Sequence, residues 1–381
     1  MFTTIGKIKE SLFSEITNIP QCLQKKYLPS LDGIRCFSIL FVIIAHVNEY
    51  NPELRNTTIA AIFGGGVFGV QYFFVISGFI ITTLLLTEKI KNGAISLRQF
   101  YLRRILRIIP LTYLFLLVLV ILNNHYQLGI RGGEFAASFF FLKNIVNQSG
   151  WYTAHYWSLS VEEQYYLLFP FILSRGGVRF YLNVCLLFIA LYIGKNVVEH
   201  FSPAHENLYS VLDIFLSMNF LAILLGSLCS ILLFKYEGAL PRMSTGVLTV
   251  VHVLLLLVAF FAFRNPRFFG LSFLVSSCAI AAGVFLFIKY PFGVFHDLLN
   301  NKVIAYIGKL SFSLYIWQQL FTSHQPWGGS IVFNLVLLGI VAYLSYNYFE
   351  KPFLKLKERY KTGKEGISKF FPNFLSQRPN R

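Results

Sequence analysis

Ten blocks of mostly apolar residues, each close to the length of a membrane-spanning helix, run through almost the whole chain. A helix needs roughly 20 such residues to cross the hydrocarbon core of a bilayer. Only 13% of the residues are charged, about half the share of an average soluble domain, so a soluble fold is excluded. The sequence therefore predicts an all-α, polytopic transmembrane helical bundle of about ten spans. The predicted spans are 31–50, 67–86, 105–123, 159–174, 179–198, 212–234, 244–263, 270–288, 303–322 and 329–349.

The distribution of basic residues predicts how this bundle is oriented. If the N-terminus is cytoplasmic, 25 of the 33 Lys and Arg residues lie in inward-facing segments and six lie in outward-facing loops. That bias follows the positive-inside rule and predicts that both termini are cytoplasmic. Topology and attraction to anionic membrane lipid account for the net charge of +16, so no nucleic-acid partner is expected.

The chain is expected to contain one membrane domain, at 28–350. A cytoplasmic segment at 1–27 precedes it and has no apolar core of the kind that a cleavable signal peptide carries. The basic tail at 351–381 is too short to form a core and is expected to lie on anionic lipid. The five cysteines are scattered, and neither a metal site nor a disulfide framework is expected. The sequence does not predict the oligomeric state.

Ionisable residues within the first predicted span are the strongest sign of a functional site. The stretch LPSLDGIRCFSILFVIIAHV carries Asp32, Arg35 and His46, and such side chains are costly in hydrocarbon. Arg35 and His46 are eleven residues apart, so they share one helix face and are separated by about 16 Å along the axis. Asp32 can pair with Arg35 on that face. An interfacial ion pair with an unrelated histidine remains an equally good interpretation of the spacing.

Three arginines stand at the cytoplasmic start of the third span, in the stretch FYLRRILRIIP. Guanidinium groups match the geometry of phosphate, so Arg103, Arg104 and Arg107 could bind an anionic substrate. Ordinary positive-inside anchoring is the alternative. The histidine within the membrane favours the substrate-binding interpretation.

Two carboxylates, Glu162 and Glu163, open the fourth span in the stretch WSLSVEEQYYLLFP. They could stabilise the helix N-terminus through its dipole. They could also lie at the level of His46 and orient or charge its imidazole. His155 precedes this stretch and could line an outer cleft, although a solvated loop position is expected for most of the remaining histidines.

Small residues recur in the second span, within GVFGVQYFFVISGFIIT. Gly66, Gly69, Ser77 and Gly78 would permit close approach of neighbouring helices. Backbone left open beside glycine could equally line a narrow tunnel, but close packing is the favoured interpretation.

Together these four stretches resemble the integral-membrane acyltransferases of acyltransferase family three. The resemblance continues in IGKLSFSLYIWQQLF and LSYNYFEKPF near the C-terminus. An arginine followed by ten residues and a histidine is the signature of that family, and it is met by Arg35 and His46. The resemblance implies ten helices and an acyl transfer from cytosolic acyl-CoA, with acetyl as the expected group and no permanently bound cofactor. It also implies a bacterial inner-membrane protein whose acceptor is a sugar hydroxyl in a surface polysaccharide or lipid-linked glycan, such as an O-antigen.

The same resemblance assigns roles to individual residues. His46 would be the catalytic base with Arg35 as its partner in the motif, and Glu162 and Glu163 would form the acidic motif. Arg103, Arg104 and Arg107 would bind the phosphates of CoA. The positions expected to support the site are Asp32, Gln71, Ser77, Gly78, Trp157, Ser158, Tyr315, Trp317 and Gln318.

The chain also departs from the family pattern in three respects. Many members have Asp where Gln71 stands, and some have His where Gln318 stands, so neither position can act here as a carboxylate or an imidazole. Many members end in a soluble esterase-like domain that this chain lacks, so the membrane domain is expected to complete the transfer itself.

Two other classes of function explain part of the same pattern. A transporter or flippase of a lipid-linked or acylated substrate accounts for the spans and the intramembrane charges, but not for the ordered set of motifs. A sensor or scaffold would use Arg35 and His46 as a structural network.

Overall fold

The computed structural model describes residues 14–24, 28–50, 57, 65–146, 150–201, 218–239, 241–265, 271–323 and 327–359. Every regular element within these residues is helical, which confirms the predicted all-α fold. The helices are α1 (Pro29–Tyr50), α2 (Gly66–Asn92), α3 (Leu97–Tyr126), α4 (Gly132–Phe139), α5 (Tyr156–Phe201), α6 (Met218–Tyr236), α7 (Thr245–Arg264), α8 (Ser272–Lys289), α9 (Val294–Leu299), α10 (Lys302–Trp317), α11 (Ile331–Leu344) and α12 (Lys351–Arg359).

Eight helical segments among the described residues are long and apolar enough to cross a membrane, so the chain is an integral membrane protein. The predicted spans 159–174 and 179–198 both fall within α5, which continues past a local break at Gly177. This residue has φ of 69°, a left-handed conformation that glycine adopts without strain. The predicted span 303–322 corresponds to the shorter helix α10 and the 3-10 turn Gln318–Leu320. The number of spans and the cytoplasmic location of the termini therefore stay predictions.

Helix α2 lies at the centre of the bundle, where it packs against α1 and α6. Small residues set the distance between these helices. A Cβ atom added at Gly78 would lie 1.8 Å from the carbonyl oxygen of Ile223 in α6. Gly78 therefore permits close packing of two helix backbones, which is the role favoured by sequence analysis.

Replacing Gly78 with alanine should lower the free energy of unfolding by about 1–3 kcal/mol, because the added methyl group forces α2 and α6 apart. Gly283 in α8 is the matched control, since nothing lies within 4 Å of the position of its missing Cβ atom. Thermal unfolding of the purified variants in detergent measures both effects. A Gly78→Ala protein as stable as Gly283→Ala would contradict the packing role.

The segment after the last span folds back onto the bundle. A π-helical turn at Ser345–Glu350 leads into α12, which packs against α3. The Ser313 hydroxyl of α10 donates a 2.9 Å hydrogen bond to Glu350 Oε2 and fixes this turn. The expected tail at 351–381 is therefore helical and packed against the protein up to Arg359, and 360–381 lies outside the described residues.

Candidate active site

Two cavities lie one after the other inside the bundle. The first, which we name the arginine cavity, has a volume of about 220 Å³ and is lined by Arg35, Arg104, Arg107, Glu162 and Lys357 among others. The second, which we name the histidine cavity, has a volume of about 510 Å³ and is lined by His46, Asn48, Glu49, His155 and Trp157 among others. Val70 and Tyr315 line both cavities, so the two spaces meet at these side chains.

Helix α1 contributes one residue of the family motif to each cavity. Arg35 lines the arginine cavity and His46 lines the histidine cavity, as expected for two residues on one helix face about 16 Å apart. Arg35 Nη1 lies 3.1 Å from Asp32 Oδ1, so the predicted ion pair is present. That pair uses one of the three guanidinium nitrogens of Arg35, and all three carry N–H donors that can bind an anionic group.

The imidazole of His46 is oriented by an amide from the end of α10. His46 Nδ1 lies 2.8 Å from Gln318 Oε1, and a carbonyl oxygen can only accept, so Nδ1 carries the proton. The Nε2 atom of neutral His46 therefore carries a lone pair. Gln318 is fully buried, and its Nε2 atom has no hydrogen-bond partner among the described residues. Trp151 packs edge-on against the same imidazole, with ring centroids 5.5 Å apart.

The loop that carries Trp151 is held from two sides. Trp151 Nε1 donates to the carbonyl of Gln319 at 2.9 Å, and Gln319 Nε2 donates back to the carbonyl of Trp151 at 2.9 Å. Glu134 accepts a 3.2 Å hydrogen bond from Thr153 and lies 3.6 Å from the Lys143 ammonium. Burial lowers the pKa of Lys143, and the carboxylate of Glu134 opposes that shift.

The structure separates the three arginines of the predicted cluster. Arg104 and Arg107 line the arginine cavity. The guanidinium of Arg104 stacks over the Tyr166 ring, 5.1 Å from its centroid. Arg103 instead forms an ion pair with Glu88 at 2.9 Å and is not among the residues that line the cavity. The four-residue spacing of Arg103 and Arg107 would place both on one helix face. The arginines that line the cavity are instead Arg104 and Arg107.

The carboxylate of Glu162 lies in the arginine cavity and not in the histidine cavity. The charges of Arg104, Arg35 and Arg107 all act on it. The expectation that it lies at the level of His46 is therefore wrong. The residues of this segment that do reach the histidine cavity are His155, which directly precedes α5, and Trp157 in its first turn. Glu163 is half-buried and lines neither cavity, and its buried Oε1 atom has no hydrogen-bond partner among the described residues.

Residues expected to support the site hold helices together around it. The hydroxyls of Ser77 and Tyr166 form a hydrogen bond at the wall of the arginine cavity. Gln71 is fully buried and joins α2 to α8, because its Nε2 atom donates to Ser277 Oγ at 2.6 Å and its Oε1 atom accepts from Ser276 at 3.0 Å. Trp317 Nε1 donates to Ser345 Oγ at 3.0 Å.

Tyr315 and Ser158 shape the boundary between the two cavities. Each hydroxyl donates to the backbone carbonyl of His155 at 3.1 Å, and the two hydroxyl oxygens lie next to each other. Trp157 lines the histidine cavity and packs edge-on against Phe74, with ring centroids 6.0 Å apart.

Asn48, Glu49 and Lys357 line the cavities although sequence analysis did not assign them to the site. His155, which sequence analysis suggested could line an outer cleft, is only 1% exposed and lines the histidine cavity. Glu49 follows His46 by three residues, a helical spacing that could have identified it. The position of Lys357 depends on how α12 folds back, and no local pattern predicts that contact.

Similarity to known proteins supports one family. The family described as "Acyltransferase domain", acyltransferase family three, matches residues 28–353. The O-acetyltransferase OatA of Staphylococcus aureus strain NCTC 8325 is 28% identical, over 87% of this chain and 58% of that protein. SAR0937 of strain MRSA252, to which the name O-acetyltransferase is attached provisionally, is 28% identical over 92% of this chain and 60% of its own length. The chain thus spans less than two thirds of these relatives. No solved structure matches the chain.

Proposed function

Because this chain belongs to acyltransferase family three, we propose that it transfers an acetyl group from cytosolic acetyl-CoA to a hydroxyl of a glycan on the other side of the membrane. One observation carries the proposal: a cavity lined by basic residues meets a cavity lined by a correctly oriented histidine. The proposed glycan is a surface polysaccharide or a lipid-linked precursor such as an O-antigen. We further propose that the protein lies in the bacterial inner membrane with both termini in the cytoplasm.

The arginine cavity suits the anionic donor. It presents Arg35, Arg104, Arg107 and Lys357 against the single carboxylate of Glu162, and guanidinium groups bind phosphate with charge-assisted hydrogen bonds. Its volume of about 220 Å³ is below the usual range of about 300–1,000 Å³ for a small-molecule pocket. That size fits the narrow arm of CoA, with the nucleotide end held at the mouth.

His46 is positioned to act as the general base. Its Nε2 lone pair takes the proton from the acceptor hydroxyl as the hydroxyl oxygen attacks the thioester carbonyl carbon. The tetrahedral intermediate then collapses, the carbon–sulfur bond breaks, and the thiolate takes the proton from the His46 imidazolium. The products are the acetyl ester and free CoA thiol. Arg35 lies in the other cavity, so it holds the donor and does not contact the reacting carbonyl.

Mass analysis of surface glycans from cells with and without the gene tests this function. We expect an increase of one acetyl group per modified sugar when the gene is present, and no increase when it encodes the His46→Gln variant. Glycans that are transported normally but never gain an acetyl group would contradict the proposal and favour a transporter or flippase.

Replacing Gln318 with leucine should reduce the transfer rate about 10–100-fold, by analogy with the loss of partners that orient metal-binding histidines. Leucine removes the acceptor that holds the proton on Nδ1 of His46. Gln318→Glu keeps an acceptor oxygen and should retain more activity than Gln318→Leu. The initial rate of acetyl transfer in proteoliposomes measures both, and equal rates for the two variants would contradict the role of this oxygen.

A further inference from the structure

The histidine cavity contains polar atoms that the described protein does not satisfy. Both ring nitrogens of His155 and the Nδ2 atom of Asn48 are buried, and they have no hydrogen-bond partner among the described residues. His155 is 1% exposed and Asn48 is 6% exposed, and both line the cavity that contains His46. Burying an unpaired polar group typically costs about 1–3 kcal/mol, so a hydrogen-bonding partner bound in this cavity would stabilise these atoms.

His155 is held in place although its ring nitrogens have no hydrogen-bond partner among the described residues. The hydroxyls of Ser158 and Tyr315 fix its backbone carbonyl. Its ring packs edge-on against Phe115 and Tyr315, with centroids 5.3 and 5.6 Å away. The Ile316 backbone acts on the imidazole without forming a hydrogen bond of normal geometry. His155 and His46 line the same cavity.

The chemistry of these groups identifies the partner they lack. A neutral imidazole offers one donor and one acceptor, and the Asn48 amide nitrogen offers donors only. A hydroxyl group can donate and accept, so it satisfies either tautomer of His155 and also accepts from Asn48. A molecule with several hydroxyls could satisfy both residues while presenting a further hydroxyl to His46.

Building on the acyl transfer proposed above, we propose that His155 and Asn48 bind hydroxyl groups of the acceptor beside the one that His46 deprotonates. The histidine cavity thereby selects polyhydroxylated acceptors over simple alcohols. His155 acts as a binding and positioning residue, and His46 alone takes the proton.

Two small alcohols of similar size test this selection: glycerol, which has three hydroxyls, and 1-propanol, which has one. Acetyl transfer from acetyl-CoA to each alcohol is measured in proteoliposomes of the purified full chain. The wild-type protein should prefer glycerol in kcat/KM by at least about tenfold, the usual contribution of one buried hydrogen bond. His155→Leu should reduce that preference to about one, and His155→Gln should keep part of it because glutamine has both a donor and an acceptor. Asn48→Leu should also reduce it.

His252→Leu is the matched control for loss of a buried histidine. His252 is 3% exposed and its Nε2 atom is unpartnered among the described residues, but it lies outside the histidine cavity. This variant should keep the wild-type preference. The inference would be overturned if the wild-type protein acetylated the two alcohols at equal rates, or acetylated neither of them while surface glycans are acetylated. It would also be overturned if His155→Leu kept the wild-type preference. If the wild-type protein transferred no acetyl group from acetyl-CoA to glycans, the proposed function would be overturned instead.

Discussion

Replacing His46 with glutamine is expected to lower the rate of acetyl transfer by about 10²–10⁴-fold, the usual contribution of a general base. Glutamine can still form hydrogen bonds within the cavity, but it cannot take a proton near neutral pH. The loss should appear in kcat, because the arginine cavity that we assign to the donor does not include His46. Initial rates in proteoliposomes at several acetyl-CoA concentrations measure this separation.

Two controls separate loss of chemistry from loss of folding. His46→Gln should elute as a single species in detergent and unfold at nearly the wild-type temperature. His252→Gln, which changes a buried histidine outside both cavities, should transfer acetyl groups at nearly the wild-type rate. A folded His46→Gln protein with more than a tenth of the wild-type rate would exclude His46 as the base.

Replacing Arg104 with glutamine should raise the KM for acetyl-CoA about 10–100-fold, since hydrogen bonds to charged groups contribute about 1.5–3 kcal/mol. Arg104 lines the arginine cavity and stacks over the Tyr166 ring. Glutamine keeps hydrogen-bond donors but removes the charge that is complementary to phosphate. The same kinetic series gives KM for this variant, and binding of CoA without the acetyl group gives an independent measure.

Arg103→Gln provides the matched comparison, because the same residue type is changed one position earlier in the same helix. Arg103 is paired with Glu88, so its loss should change KM by much less than the loss of Arg104. Equal increases in KM for the two variants would show that general attraction by positive charge, and not the arginine cavity, holds the donor.

Hydropathy predicted the location of the helices well but not their continuity. Every predicted span overlaps a helix among the described residues. Hydropathy reports composition along the chain, so it divided α5 into two spans and could not detect that helical structure continues on both sides of Gly177. A break of this kind depends on backbone conformation at a single glycine.

The site was predictable only where its residues are close in the sequence. Arg35 and His46 share α1, so helix geometry alone placed them on one face. The contact between His46 and Gln318 joins residues 272 positions apart, and no local pattern specifies such a pair. The same reason explains why Lys357 was assigned to a lipid-bound tail and why Glu162 was assigned to the level of His46.

We propose that the donor and the acceptor reach the reaction from opposite sides of the membrane, through the two cavities that meet at Val70 and Tyr315. Proteoliposomes with acetyl-CoA sealed inside and a glycan acceptor outside test it, after the fraction of protein with its C-terminus facing inward has been measured by protease protection. We predict that transfer with acetyl-CoA inside is proportional to the fraction of protein with an inward-facing C-terminus. Transfer that occurs only when acetyl-CoA and the glycan are on the same side would contradict the account.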